Sequence, residues 1–442
     1  MARVLIVSSD VVGERMAGPG IRAWELSRAL AAEHQVTLAA PGPARPTPAD
    51  FAVIAATRSA LDRAAASTDV AVVQGAAFEL SRSLRSQVPA LVIDLYDPYP
   101  VEGLEFNREL SLAERQENLD RDLQRLREQC LAGDFFLCAS ERQRLFWLGV
   151  LAGFGRVDIA GYDADPTLRR LVEVVPFGVP PTPPERGAAR LRGVVPGIAA
   201  GDFLVIWGGG IWNWLDPLTL IRAVAEVAPS LPQVKVIFPG SGHPNPAVPR
   251  MQMAAAAKEL AAELDLLDRH VFFLGEWVPY AQRGALLAEC DAGVSLHRPG
   301  IEADLAFRTR VLDYLWAGLP VVLTEGDAIA DLVAGAGAGL TVAAEDGQGL
   351  AEALRRLVTD ADLRDRCRAG SHELARQLSW ERVAAPLNEF CRSPRRTRPA
   401  GAGVSIAAPS RSALLRRAWR SVRRDGPAAA ATRGYRYLRA RR

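Results

Sequence analysis

The chain has 442 residues, 49% hydrophobic and 24% charged, a globular balance that excludes low-complexity and fibrous classes and exceeds the ~250–300 residues a single core usually reaches. Its five cysteines (Cys130, Cys138, Cys290, Cys367, Cys391) are scattered, with no CxxC and no Cys/His cluster, which argues for reduced, buried thiols and against a disulfide framework or a zinc site. The formal charge of +2 hides a split: residues 393–442 hold 14 Arg against one Asp, a net +13, and the remaining 392 residues carry a net −11.

Residues 3–8 (RVLIVS) form an apolar run of the kind that becomes a strand buried on both faces of a parallel sheet. A polar loop then closes on Gly18-Pro19-Gly20, and an amphipathic helix follows with Ile21, Trp24, Leu26 and Leu30 apolar. Runs at 35–40, 69–74 and 90–95 repeat the strand pattern with helices between them. This βαβα rhythm implies an α/β, doubly wound sheet. The run at 90–95 leads into Asp94-Leu95-Tyr96-Asp97, two carboxylates where such sheets bind ligands. Asp94 reads equally well as a turn cap, so Asp97 is the better functional candidate. Residues 104–130 read as one long, charge-laced helix, and 134–138 as a strand. Ser140 with Gln143 reads as a capping box. A short strand over 172–180 runs into the Pro/Gly-rich TPPERG, which marks a domain boundary.

The rhythm then restarts. A strand at 203–207 enters Gly208-Gly209-Gly210-Ile211-Trp212-Asn213-Trp214, and a helix follows over 217–227. Glycines directly after a strand let backbone N–H groups approach a phosphate. The spacing is not GxGxxG and no acid follows in the manner of an NAD site. Strands at 234–239 and 271–274 and helices at 249–264 and 282–288 lead to the most charged segment, LHRPGIEADLAFRTRVLDYLWAGLPVVLT at 296–324. There Val311, Leu312, Leu315 and Trp316 share a helix face, and Gly318 and Pro320 end it. His297, Arg298, Glu302, Arg308 and Arg310 lie at or before that helix, with Asp313 on it. Charges converging where a strand ends and a helix begins suit a phosphorylated ligand. A strand at 340–343, a helix at 350–358 and one amphipathic helix over 380–391 complete the body.

Two successive β/α sheets, each opened by a glycine loop, together with Val175-Pro176-Phe177-Gly178-Val179, Phe273-Leu274-Gly275-Glu276-Trp277-Val278-Pro279 and the segment from Glu302 through Asp313-Tyr314-Leu315-Trp316-Ala317-Gly318-Leu319-Pro320, resemble a GT-B glycosyltransferase. The closest resemblance is to the retaining family-4 (group 1) type that uses nucleotide-diphosphate sugars. It covers roughly residues 1–392. It implies two Rossmann-like parallel-sheet domains facing a central cleft: 1–179 on the acceptor side, 180–378 on the donor side, and 379–392 crossing back to the first domain.

By the same resemblance, Asp313 stands where the family has a Glu that holds the donor ribose, and Glu302 is the acid near the transferred sugar. Trp277, Val278 and Tyr280 would flank the base. Gly209, Gly210, Asn213, His297, Phe307, Thr309 and Arg310 fall on the donor side, and Gly18, Gly20 and Asp94 on the acceptor side. Asp97 and Arg308 join Glu302 as the catalytic candidates. The chain departs from the family in three ways: ten residues instead of seven separate the acids, the second acid is Asp, and Trp212-Asn213-Trp214 replaces the usual Arg and Lys. Arg308 is the expected substitute for that pair, with Arg310 expected nearer solvent.

The implied function is transfer of a hexose, with retention, to a glycan or lipid-linked acceptor in cell-surface polysaccharide or glycolipid assembly. No metal and no cofactor beyond the nucleotide sugar itself are expected. The alternatives are a GT-B sugar-nucleotide epimerase and a catalytically weakened nucleotide-sugar-binding subunit. In the tail, Leu414, Leu415, Ala418, Trp419 and Val422 make an apolar stripe among arginines, so 409–442 fits an anionic membrane surface. A disordered tail is an equal alternative, and 394–408 reads as disordered. Nucleic acid has no other support in the chain. With no signal peptide and no apolar run of spanning length, the expected location is cytoplasmic, against the inner face of the membrane if the tail binds it.

Overall fold

The computed structural model describes residues 1–42, 48–240, 243, 245, 248–249, 251–275 and 277–398. The stripe around Trp419, Glu276, Ser241 and Gly242 lie outside the described residues. The first sheet holds β1 (Arg3–Val7), β2 (Gln35–Ala40), β3 (Ala52–Ala55), β4 (Val70–Gln74), β5 (Ala90–Asp94), β6 (Phe135–Cys138) and β7 (Val172–Val174), in the order β3-β2-β1-β4-β5-β6-β7. All its ladders are parallel; Leu5, for example, lies opposite Thr37 and Ala71. The second holds β8 (Phe203–Ile206), β9 (Val234–Phe238), β10 (Val271–Phe273), β11 (Ala292–Ser295), β12 (Val321–Thr324) and β13 (Gly339–Val342), ordered β10-β9-β8-β11-β12-β13 and also parallel. Helices cover both faces of such sheets, which is why β4 and β5 are apolar and wholly buried, without alternation. The fold is GT-B.

In each sheet the chain reverses direction beside its first strand, β1 or β8, so the strand ends open a crevice there. The two crevices face one another. The connection passes through Val179, whose N–H and carbonyl bond Leu378 and Trp380, respectively. Beyond it the Ala385–Arg392 helix lies on the first domain, with Phe390 stacked on Phe135 at 4.6 Å and Asn388 bonded to His34 at 2.8 Å.

Several expected elements differ. The single helix at 104–130 is two, Tyr99–Phe106 and Leu112–Ala132, because Ser111 and Glu114 form a capping box that starts a new helix. The 380–391 helix is also two, Trp380–Val383 and Ala385–Arg392, broken where Pro386 cannot donate its N–H. The strand β3 and the helices Ala328–Gly335 and Ala361–Gln377 were not among the expected elements. Ser140 caps Gln143 as expected, but the Gln143 side chain reaches back to the Ala139 N–H and across the cleft to the Leu305 carbonyl. Of the stretch 394–408 expected to be disordered, the described part is held in place: Thr397 and Arg398 donate their N–H groups to the buried carboxylate of Asp134, each at 2.9 Å, and 399–408 lie outside the described residues. All five cysteines are buried, and burial pushes the thiols of Cys130, Cys138 and Cys391 up to about 12.

Candidate functional site

A cavity of ≈1180 Å³, counted with its open mouth, lies between the domains. Its second-domain wall begins at Gly208-Gly209-Gly210 after β8. Gly209 has φ +73°, a conformation that disfavours a side chain, and its Cβ position is open space. The Gly208 N–H donates to the Tyr314 hydroxyl at 2.6 Å, and that hydroxyl donates to the Val294 carbonyl at 3.0 Å. A fully buried tyrosine thus ties the glycine loop to β11.

Tyr314 lies on the Thr309–Trp316 helix, whose first turn points Thr309 and Arg310 at the same cavity. Arg310 donates one Nη to the Gly210 carbonyl at 2.9 Å and sits 5.2 Å from the Trp207 ring, while its other Nη is buried with no partner. Burial lowers its pKa to about 10, with Tyr314 raising it and Arg308 lowering it. An unpartnered guanidinium nitrogen beside a glycine loop and a helix N-terminus is an incomplete cation site that an anion would complete.

Asp313, one turn along, also lines the cavity and is the sole acid among the described lining residues. Its carboxylate accepts from Arg283 Nε at 3.3 Å. The Arg283 guanidinium lies 3.9 Å over the Tyr280 ring and 4.8 Å from Trp316. Trp277, Val278 and Tyr280 line the cavity beside it. Trp277 and Tyr280 also join the domains. Trp277 Nε1 donates to the Met16 carbonyl at 3.0 Å, the Tyr280 N–H donates to the Glu14 carbonyl at 2.8 Å, and the Tyr280 hydroxyl donates to the Glu25 carboxylate. The first-domain wall is Met16, Ala17, Gly18, Ile21, Phe177 and Gly178.

The structure separates the two arginines differently from the sequence reading. Arg308 is the one with carboxylate partners: both Glu302 oxygens accept from it, at 2.9 and 2.7 Å, and Asp327 lies 3.7 Å from its Nε. Burial opposes its charge, but Glu302 and then Asp327 outweigh that and raise its pKa. Glu302 and Arg308 are not in the cavity wall, and neither is Asp97. They form a neighbouring cluster where the Ile301–Leu305 helix packs on the Tyr99–Phe106 helix. In it, burial raises the pKa of Asp97 and Glu102, and the negative charge of Glu302 adds to both shifts.

Five other expected site residues also lie outside the cavity wall, each with structural neighbours. Asn213 accepts the Met253 N–H, capping the Gln252–Glu263 helix. Gly20 is required by packing, since a Cβ there would lie 2.2 Å from the Val11 carbonyl oxygen. Asp94 is buried and takes two bonds from the buried Arg22, at 2.7 and 2.9 Å, and one from Gln74 at 3.2 Å. Phe307 is half-buried against the core. His297 is buried, 4.0 Å from Asp327. The sequence reading missed Arg283, Tyr314, Arg22 and Asp327. Arg310 and Tyr314 stand one helical turn apart, a usable signal; nothing local marks the other three.

His297 and Asp327 make a measurable prediction. Burial, then Arg308 and Arg310, lowers His297 to about 3, and burial raises Asp327 to about 6. Between pH 4 and 6 the unfolded chain holds one proton on His297 and the folded chain holds one on Asp327, so the pair contributes almost no pH slope. In His297→Gln, stability should fall as pH rises from 4 to 6. In Asp327→Asn, it should fall as pH drops below 6.5. Each slope approaches about 1.4 kcal/mol per pH unit. Denaturant titrations across pH 4–7 read both, and parallel slopes in the two variants would refute the assignment.

The comparisons with known proteins agree with this geometry. Residues 202–360 match the family model described as Glycosyl transferases group 1. The matched stretch spans β8 to β13 and includes Arg310 and Asp313. The chain is 30% identical over 240 residues to a D-inositol 3-phosphate glycosyltransferase of Nocardioides sp., covering 53% of this chain and 50% of the relative. It is 33% identical over 243 residues to the protein of that name from Stackebrandtia nassauensis, covering 51% and 49%. The chain thus spans about half the length of the curated relatives it matches. Among solved structures, Anabaena HepE in complex with UDP-glucose superposes with a TM-score of 0.62 at 14% identity, over 89% of this chain and 100% of that one. At that identity the likeness shows the fold alone.

Proposed function

We propose that the protein is a glycosyltransferase that moves a sugar from a nucleotide-diphosphate donor to an acceptor hydroxyl. The observation that carries this reading is the unpartnered Arg310 nitrogen beside Gly208-Gly209-Gly210, in the same cavity as Asp313. The diphosphate would lie against the glycine loop and the N-terminus of the Thr309–Trp316 helix, where Arg310 stabilises the charge that builds as the glycosidic bond breaks. Asp313 would hold the ribose hydroxyls, and Trp277, Val278 and Tyr280 the base. The relatives' names and the UDP-glucose of the HepE complex fit this assignment. Retention is the proposed outcome: the cavity wall holds no carboxylate besides Asp313 among the described residues, so the departing phosphate is the base at hand. Cell-surface glycan or glycolipid assembly is the proposed setting, with 409–442 against an anionic membrane. No helix among the described residues is long and apolar enough to cross one.

One observation favours a second reading. Arg308 occupies both oxygens of Glu302, as a binding subunit with weakened catalysis would allow. Calorimetry with UDP, GDP and TDP, followed by incubation with the matching sugar nucleotide and a panel of neutral and lipid-linked acceptors, separates the two. Binding with donor hydrolysis or transfer is the expected result. Binding without turnover supports the second reading, and no binding of any nucleotide refutes both.

A further inference from the structure

We propose that the part of the acceptor that enters the cleft is uncharged and presents an apolar face, with no phosphate or carboxylate. This rests on the glycosyl-transfer reading above and specifies its acceptor. With the donor assigned to the second domain, the acceptor meets the first-domain wall, and the side chains there are Met16, Ala17, Ile21 and Phe177, none of them charged. Two first-domain arginines, Arg22 and Arg142, are engaged. Arg22 is buried on Asp94 and on the carbonyls of Val175 and Pro176. Arg142 crosses to the Gly326 carbonyl and the Asp331 carboxylate. The carboxyl cluster of Asp97, Glu102 and Glu302 lies outside this wall, with Arg308 already held by Glu302. A phosphate entering here would meet apolar carbon, with no charged first-domain side chain among the described residues of the wall.

Aromatic rings supply the surface that such an acceptor needs. Trp212 is stacked on Trp214 at 5.3 Å and 10°, and His243 bridges Trp212 and Trp277 at 5.6 and 5.7 Å. Trp212 lines the cavity and, unlike Trp277, is not assigned to the base. Broad ring faces of this kind take the C–H face of a sugar or the apolar part of an aglycone. The curated relatives, by name, act on a phosphorylated inositol; this wall has no charge to meet that phosphate.

The test uses the full chain saturated with whichever of UDP, GDP or TDP binds it, at low ionic strength, where an anion would gain most. Binding of n-octyl glucoside below its micelle concentration is compared with that of inositol 3-phosphate and glucose 6-phosphate. The expected result is at least ten-fold tighter binding of octyl glucoside than of either phosphate. In Ile21→Arg the order should shift toward the phosphates. Equal or tighter binding of a phosphate by the natural chain, or no binding of octyl glucoside, overturns the proposal and leaves the donor assignment standing. If no nucleotide binds, the parent reading itself fails and takes this one with it.

Discussion

An Arg310→Ala variant is expected to lose about 10²–10³-fold in kcat/KM for transfer or donor hydrolysis, the range seen when a single preorganised charge donor is removed from a developing anion. Arg310 is the group to remove because one of its guanidinium nitrogens is buried without a partner. One nitrogen is held by the Gly210 carbonyl, the ring of Trp207 lies under the guanidinium, and the second nitrogen is buried without a partner. Burial lowers its pKa only to about 10, so it remains charged at neutral pH. Arg310→Lys keeps the charge but loses the planar fork, and should fall between. The decisive comparison is Arg308→Ala. That change leaves Glu302 without its bidentate partner, so its main cost should appear in stability and not in nucleotide affinity. Calorimetric binding of the nucleoside diphosphate with melting of the same samples reads both. If Arg308→Ala weakens binding more than Arg310→Ala does, the roles assigned to the two arginines are reversed.

Asp94→Ala should destabilise the first domain by about 3–5 kcal/mol, the cost of leaving a buried cation without its partner. Both side chains are fully buried. Arg22 would retain only the carbonyls of Val175 and Pro176 and its contacts with the Tyr96 and Phe177 rings. Because Val175, Pro176 and Phe177 lead into the connection between domains, the damage should spread to the cavity wall that Phe177 forms. Replacing both partners, as Arg22→Met with Asp94→Leu, should recover much of the loss, since neither charge is then stranded. A melting transition within a degree or two of the natural chain in Asp94→Ala would show that the pair is not structural.

The closed arrangement also bears on mechanism. Trp277, Tyr280, Arg142 and Gln143 each hold a group of the opposite domain. Tyr280 links Glu25 of the first domain to the Arg283 that holds Asp313. Opening the cleft would break these bonds together, and so loosen the Arg283 that holds Asp313.

The sequence by itself determined the two parallel sheets apart from β3, the glycine loop after β8 and the helix Thr309–Trp316. Each rests on a local signal: an apolar run bounded by turns, glycines after a strand, or a 3.6-residue stripe ended by a left-handed glycine. The resemblance to the GT-B family, and not a local signal, placed Asp313, Trp277, Val278 and Tyr280 beside a common cleft. Only the tertiary structure decided which charges are free within it. Arg308 and Arg310 are two residues apart and alike in sequence. Arg308 meets Glu302 and Asp327, brought to it by a short helix and by the loop after β12, whereas Arg310 meets a backbone carbonyl and a tryptophan ring. Likewise, Asp94 meets Arg22 across 72 residues of chain, and Arg283 reaches Asp313 across 30. Local pattern sets the phase of a helix, but the partner a side chain finds depends on elements distant in sequence, and that partner decides whether a charge remains available to a ligand.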